Sequence, residues 1–266
     1  MPKNYSITFK IGGKVITLNS SYPMRLRFAN DYHPERYRHF VYTGKANRDI
    51  VINVKIVKKL PKIIGQEVFK VIHFDDGKEN WRWLNTKTGY LYYCPIKTKR
   101  QLAFISHDYS RVTLYLPPWR KKFIWDFYTI LYDFLQILLI NYLAFKKEGL
   151  ILHAMAVKDN DGKGIVCAGR SGNGKSTLAR FWHYNTKAMV LNDDRVIVRK
   201  TPQGFIAYSS PWHGEFSDYL KNRPDAALLN TIFLIEHARK NFSQKLNRED
   251  AFKFLYPALI PIFYNR

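Results

Sequence analysis

The chain has 266 residues, 46 % hydrophobic and 24 % charged, a balance that supports a packed core and excludes a disordered chain. Its 14 glycines and 12 prolines exclude a collagen-like protein, and two cysteines, Cys94 and Cys167, make neither a disulfide framework nor a C-x-x-C zinc site. A net charge of +22 favours an acidic partner: a nucleotide, an acidic peptide, nucleic acid or an anionic membrane.

The excess is uneven. Residues 1–150 carry 26 basic and 11 acidic residues, whereas residues 151–266 carry 17 and 10. The opening residues, Met1 to Tyr5, lead into an alternating pattern with no apolar run of the signal-peptide kind. With two free thiols, this predicts a cytoplasmic protein.

Residues 1–120 read as β-rich. Ser6–Ile11 and Lys14–Leu18 alternate around Gly12-Gly13, a two-glycine hairpin signal. Further strands are expected at Ile50–Val57, Glu67–Phe74, Trp81–Leu84, Tyr90–Cys94, Leu102–Ser106 and Arg111–Leu116. Turns are expected at Asp75–Lys78 and Asn85–Gly89. Phe123–Phe145 is long and apolar, but Asp126 and Asp133 interrupt it, and with Thr129 and Gln136 they form a polar stripe at helical spacing. That pattern predicts a long, mostly buried helix over 121–149 with one wet face, rather than a membrane span.

From residue 150 to 266 the pattern changes. Leu150–Val157 reads as a buried strand, Asp159–Gly164 as a turn, and Ile165–Ala168 as a second strand antiparallel to the first. A helix is expected over Thr177–Tyr184. Short strands at Met189–Leu191 and Val196–Val198 flank Asp193-Asp194, with Phe205–Tyr208 and Leu229–Ile235 to follow and a last helix at Arg248–Leu259.

Gly169-Arg170-Ser171-Gly172-Asn173-Gly174-Lys175-Ser176 satisfies G-x-x-x-x-G-K-[ST], between a strand and a helix that begins near Thr177. The glycines let the loop turn its N–H groups around phosphates, and the helix points its positive end at the same anion. Lys175 can reach the β- and γ-phosphates, and the Ser176 hydroxyl can ligate Mg²⁺. Asp193-Asp194 ends the strand after this helix, where a metal-holding carboxylate is expected, and two adjacent carboxylates can divide metal and proton work. His153 interrupts an apolar strand; the antiparallel hairpin would bring it near the phosphates and the aspartates, where it can orient a carboxylate.

Leu152-His153-Ala154, Gly169–Thr177 and Asn192-Asp193-Asp194-Arg195-Val196 together resemble the catalytic domain of HPr kinase/phosphorylase. They resemble more closely the HPr-kinase-related proteins that phosphorylate a serine of lasso-peptide precursors. Ser210–Glu215 is similar to a segment of that group. The resemblance spans about residues 148–260. It implies an α+β fold: a mixed-sheet P-loop kinase domain of the HPr kinase and phosphoenolpyruvate carboxykinase type, behind a β-rich N-terminal part. It further implies ATP and Mg²⁺ as cofactors, His153, Lys175, Asp193 and Asp194 as catalytic residues, and Ser176 and Asp194 at the metal. The first aspartate would do the acid/base work and the second would hold the metal. Thr177 replaces the acidic residue usual after the P-loop serine, and the family's Gly- and Arg-rich C-terminal segment is absent. HPr and the reverse reaction are therefore not expected.

The expected activity is transfer of the γ-phosphoryl group of ATP to a serine hydroxyl of a peptide or protein, by a single chain or an oligomer. Residues 1–120 would recognise the substrate, and Arg170, Arg195 or Arg223 would support the transition state. Besides a non-catalytic peptide-binding module, which would leave Asp193 and Asp194 dispensable, two alternatives stand beside it. One is a small-molecule kinase acting on free serine. The other is a nucleotide-dependent regulatory or nucleic-acid-binding protein using Trp81-Arg82-Trp83 and Tyr90, Tyr92 and Tyr93.

Overall fold

The structure, a computed structural model, describes residues 5–25, 37–72, 77–97, 100–118, 125–214, 216, 224–240 and 242–261, with backbone only for 125–131. The turn expected at Asp75-Asp76, the start of the helix expected at Phe123, Glu215 and Arg223 lie outside these residues, as do the side chains of Asp126 and Thr129. The chain divides into two compact units, with the boundary between Phe145 and Lys146.

In the first unit, strands β1 (Tyr5–Ile11), β2 (Lys14–Ser20), β4 (Ile50–Ile56), β5 (Gln66–Ile72), β6 (Glu79–Thr86), β7 (Gly89–Cys94), β8 (Gln101–Ile105) and β9 (Arg111–Leu116) form one sheet. Its order is β1-β2-β4-β9-β8-β7-β6-β5. Two short strands, β3 (Met24–Arg25) and β10 (Trp125–Asp126), pair in parallel. Gly12 and Gly13 take φ of 57° and 71°, as the tight hairpin between β1 and β2 requires.

Alternation gives this sheet two apolar faces. Trp83, Tyr90, Tyr92 and Tyr109 are buried on one of them. The Tyr90 and Tyr109 rings stack at 4.7 Å, and Tyr92 lies 5.1 Å from Phe134 of helix α1 (Phe127–Phe145). On the other face Leu84, Leu91 and Leu102 pack under Leu60 and Ile63. The tryptophans of Trp81-Arg82-Trp83 are thus core, and Arg82 turns outward to Glu79 and Glu67. Helix α1 begins at Phe127, later than expected because Trp125-Asp126 is extended and paired, and it ends at Phe145 rather than 149, where Gly149 opens the next strand. Asp133 and Gln136 are half-buried while Phe134, Leu135 and Ile137 to Leu143 are buried, which leaves a narrow polar stripe. Among the described residues no helix is long and apolar enough to cross a membrane.

The second unit contains β11 (Gly149–Lys158), β12 (Lys163–Ala168), α2 (Lys175–Asn185), β13 (Met189–Asn192), β14 (Arg195–Thr201), β15 (Gly204–Tyr208), β16 (Ala226–Leu234) and α3 (Arg248–Leu255). The hairpin of β11 and β12 is antiparallel, as the turn at Asp159–Gly164 predicts. The pairings then run β12–β16 in parallel, β16–β15, β15–β14 and β14–β11 antiparallel, so five strands close a circuit. One core cluster draws on every strand of it: Leu152, Ala154, Ala156, Val166, Ala168, Val196, Val198, Ala207 and Ala227. A ring of so few strands has a narrow interior, and alanine fits it. On the other face of β11 and β12, Met155, Val157 and Cys167 pack with Ala179 of α2. Helix α3 stops at Leu255 and a 3₁₀ turn, Tyr256–Ala258, takes over. Pro257 has no N–H to continue the α-helical ladder.

Candidate functional site

Strand β12 ends at Ala168, and the glycine-rich loop carries the chain into α2 at Lys175. Gly172 and Gly174 adopt φ of 87° and 84°, the left-handed region that a Cβ disfavours. The loop therefore turns where its glycines allow, and α2 begins on it. Lys175 is buried, and its Nζ donates to Gly169 O and Arg170 O, both at 2.9 Å. Burial lowers its pKa, Asp194 opposes that shift and Arg195 adds to it. A cation held by two neutral carbonyls in a partly desolvated place is short of negative charge. A phosphate would supply it.

Asp193 and Asp194 sit in a kink between two stretches of one extended run. Strands β13 and β14 both pair antiparallel with β11, through Ala156↔Asn192 on one side of the kink and His153↔Arg195 on the other. Asn192 Oδ1 shapes the kink by accepting from Asp194 N and Arg195 N, each at 2.8 Å. Its Nδ2 donates to Ser210 O at 3.1 Å and to Ser210 Oγ at 3.0 Å. Asp194 O in turn accepts from Ala154 N at 3.0 Å.

Residues Leu152, Ala154 and Ala156 face the closed core, so alternation puts His153, Met155 and Val157 on the α2 side. His153 Nε2 lies 3.1 Å from Asp194 Oδ1, and Arg195 Nη1 donates to the same oxygen. Burial pushes the Asp194 carboxyl up. The His153 hydrogen bond and the charges of Arg195, His153 and Lys175 outweigh it and hold the group below its ordinary value. Asp194 is thus an ionised carboxylate tied electrostatically to the loop lysine.

Asp193 is built differently. It is 1 % exposed. Its Oδ1 accepts from Gly214 N at 2.8 Å and its Oδ2 from Phe216 N at 3.2 Å. A Cβ on Gly214 would meet Asp193 Oδ2 at 2.7 Å, so only glycine allows this approach. Both carboxylate oxygens are engaged by backbone, and the side chain clamps the segment that begins at Trp212. In that segment His213 is buried, with Nδ1 2.8 Å from Gly214 O.

The structure thus brings His153, Lys175, Asp194 and Arg195 together, while Asp193 accepts from the Gly214 and Phe216 backbone. Ser171 and Thr177 are exposed, as is Arg170. Sequence reasoning quoted Asn192 and Ser210 only inside longer segments and gave them no role, though they set the kink; an Asx residue just before a turn is the signal that marks Asn192. Among the described residues no three His, Cys, Asp or Glu side chains form a metal cluster. Asp194 and the Ser176 hydroxyl are hard oxygen donors of the kind Mg²⁺ takes, and Mg²⁺ bound with a nucleotide draws much of its coordination from phosphate and water. No family model matches the sequence, and no curated protein matches it.

Proposed function

We propose that the chain is an ATP- and Mg²⁺-dependent kinase that phosphorylates a serine hydroxyl of a peptide or protein, and that it works in the cytoplasm. The substrate class the resemblance implies is a ribosomal precursor peptide of the lasso type. One observation carries the reading: the lysine of a phosphate-type loop and the carboxylate at the kink between β13 and β14 act on each other electrostatically, with a histidine and an arginine on that carboxylate.

Phosphoryl transfer is mostly positioning and charge neutralisation, and the residues divide accordingly. The loop N–H groups and the α2 N-terminus hold the phosphates. Lys175 leaves its two carbonyls for the β- and γ-phosphate oxygens. Asp194 and Ser176 would hold Mg²⁺, which when bound neutralises charge on the phosphates. His153 orients Asp194 through Nε2. Arg195 donates to the same Asp194 oxygen that His153 contacts and would follow charge as it moves. Asp193 holds the backbone at Gly214 and at Phe216. The basic first unit suits an acidic substrate. The aromatic residues that a nucleic-acid reading would use for stacking are largely core, which favours the peptide.

The test is incubation with γ-labelled ATP, Mg²⁺ and a panel of serine peptides with free serine alongside, read by mass spectrometry. One phosphate on a peptide serine is expected, and Lys175→Ala should cut transfer by about 10²–10³-fold or more while the protein stays folded. Transfer to free serine alone would move the reading to a small-molecule kinase. A Lys175→Ala protein with near-normal turnover would overturn the phosphate loop itself.

A further inference from the structure

The end of β16 grips the glycine-rich loop at three points. Ile235 N donates to Ala168 O at 2.8 Å, which carries the parallel β12–β16 pairing one step further, to the mouth of the loop. Ile235 O accepts from Asn173 Nδ2 at 2.7 Å. The same oxygen lies where a Cβ on Gly169 would meet it at 2.7 Å, so the strand and loop backbones touch there. Two residues on, His237 Nε2 stands 2.9 Å from Gly172 O. A carbonyl has no proton to give, so the ring nitrogen is the donor.

Neither side-chain contact serves a helix or a strand ladder. Asn173 occupies a position that the loop motif leaves open, and His237 reaches it from 65 residues beyond Gly172. We propose that Ile235–His237 is a strap on the phosphate loop, and that Asn173 and His237 are positioning residues for phosphate binding. The proposal rests on the reading of Gly169–Ser176 as a nucleotide site.

Two physical effects follow from the strap. Glycine loses more freedom than other residues when it is ordered, and this loop has glycines at both left-handed positions. Fastening the loop during folding removes that ordering cost from the binding step. In addition, Gly172 O and Asn173 N belong to one peptide group. A donor on the carbonyl polarises that group and strengthens its N–H toward an anion. At present Asn173 N reaches Arg170 O at 3.2 Å, a long bond that a phosphate oxygen can replace.

His237 is exposed and Asn173 half-buried, so changing them opens no core. The full chain would be compared with Asn173→Ala, His237→Leu, the double variant and His237→Gln, whose amide keeps a donor. Two quantities would be measured: hydrogen exchange of the loop peptides without ligand, and affinity for MgADP by calorimetry. The double variant should exchange about tenfold faster across the loop. Asn173→Ala and His237→Leu should each weaken MgADP about fivefold, the scale of one hydrogen bond. His237→Gln should stay within about twofold of the parent protein. Unchanged exchange in the double variant overturns the strap. Faster exchange with unaltered MgADP affinity overturns the positioning role, and a His237→Gln protein as weak as His237→Leu overturns the assignment of donation to His237. A parent protein that shows the strap in exchange but no affinity for MgADP overturns the nucleotide reading, and the phosphate-binding role of the strap with it.

Discussion

The two units solve the same problem with opposite materials. The first buries large rings, with Trp83, Tyr92, Tyr109 and Phe134 all essentially inaccessible, between an open sheet and a long helix. The second closes five strands on a core of Ala154, Ala156, Ala168, Ala207 and Ala227, and buries Asn192, Asp193, Ser210 and Lys175 beside it. Small interior side chains let backbones approach closely, and close backbones supply the N–H and C=O groups that buried polar residues need. That is why Asp193 can sit buried with both oxygens bonded. The labour divides accordingly: the ring-filled unit carries most of the excess positive charge, and the alanine-filled unit carries the cluster of His153, Lys175, Asp194 and Arg195.

The largest expected effect tests whether the two cores are separable. Trp83→Ala removes a fully buried indole and should cost about 3–5 kcal/mol in the first unit. Denaturant unfolding would measure the cost, and MgADP affinity of the second unit should stay within about twofold. A loss of nucleotide affinity in step with the loss of stability would break the comparison.

Asp193→Asn comes next. Asparagine offers one acceptor where the carboxylate offers two, so one of Gly214 N and Phe216 N would face an NH₂ group. A buried donor left unpaired costs about 1–3 kcal/mol, and thermal melting should show it. The resemblance implies another outcome: a fully stable protein with turnover lower by about 10²–10⁴-fold, the mark of a lost general base. Obtaining that result would support the acid/base role that the resemblance implies for Asp193.

What could be read in advance was whatever local chemistry controls. The β11–β12 hairpin follows from the turn at Asp159–Gly164, the β1–β2 hairpin from Gly12-Gly13, and the loop before α2 from its glycines. The kink at Asp193-Asp194 could be placed because polar residues interrupt an apolar run. The parallel contact of β12 with β16 could not, since it joins Cys167 to Phe233 across a long separation and parallel pairing needs no turn. The clamp on Asp193 escaped for a different reason: it grips the backbone N–H groups of Gly214 and Phe216, and every residue but proline carries such a group. Asn173 and His237 escaped likewise, because a side chain that meets a distant carbonyl leaves no periodic trace. For the same reason the contrast between Asp193 and Asp194, adjacent in sequence and unlike in surroundings, belongs to the fold alone.

The smallest expected effect sharpens that contrast. The folded protein holds the Asp194 carboxyl below its ordinary value: burial opposes this, and His153, Arg195 and Lys175 outweigh burial. A carboxylate with a lowered folded pKa stabilises the fold above its unfolded pKa, about 4, and loses that contribution as pH falls through the folded value. Asp194→Asn removes the ionisation, so the acid side of its stability–pH curve should be shallower than that of the parent protein. The difference should be about 1 kcal/mol or less, because Asp194 and His153 are both partly solvated. The measurement is urea unfolding at a series of pH values from neutral downward, with metal and nucleotide left out so that only the protein's own groups titrate. Parallel curves for the two proteins across the acid range would mean that Asp194 gains nothing from His153, Arg195 and Lys175. The electrostatic link between the carboxylate and the loop lysine, on which the kinase reading rests, would then be lost.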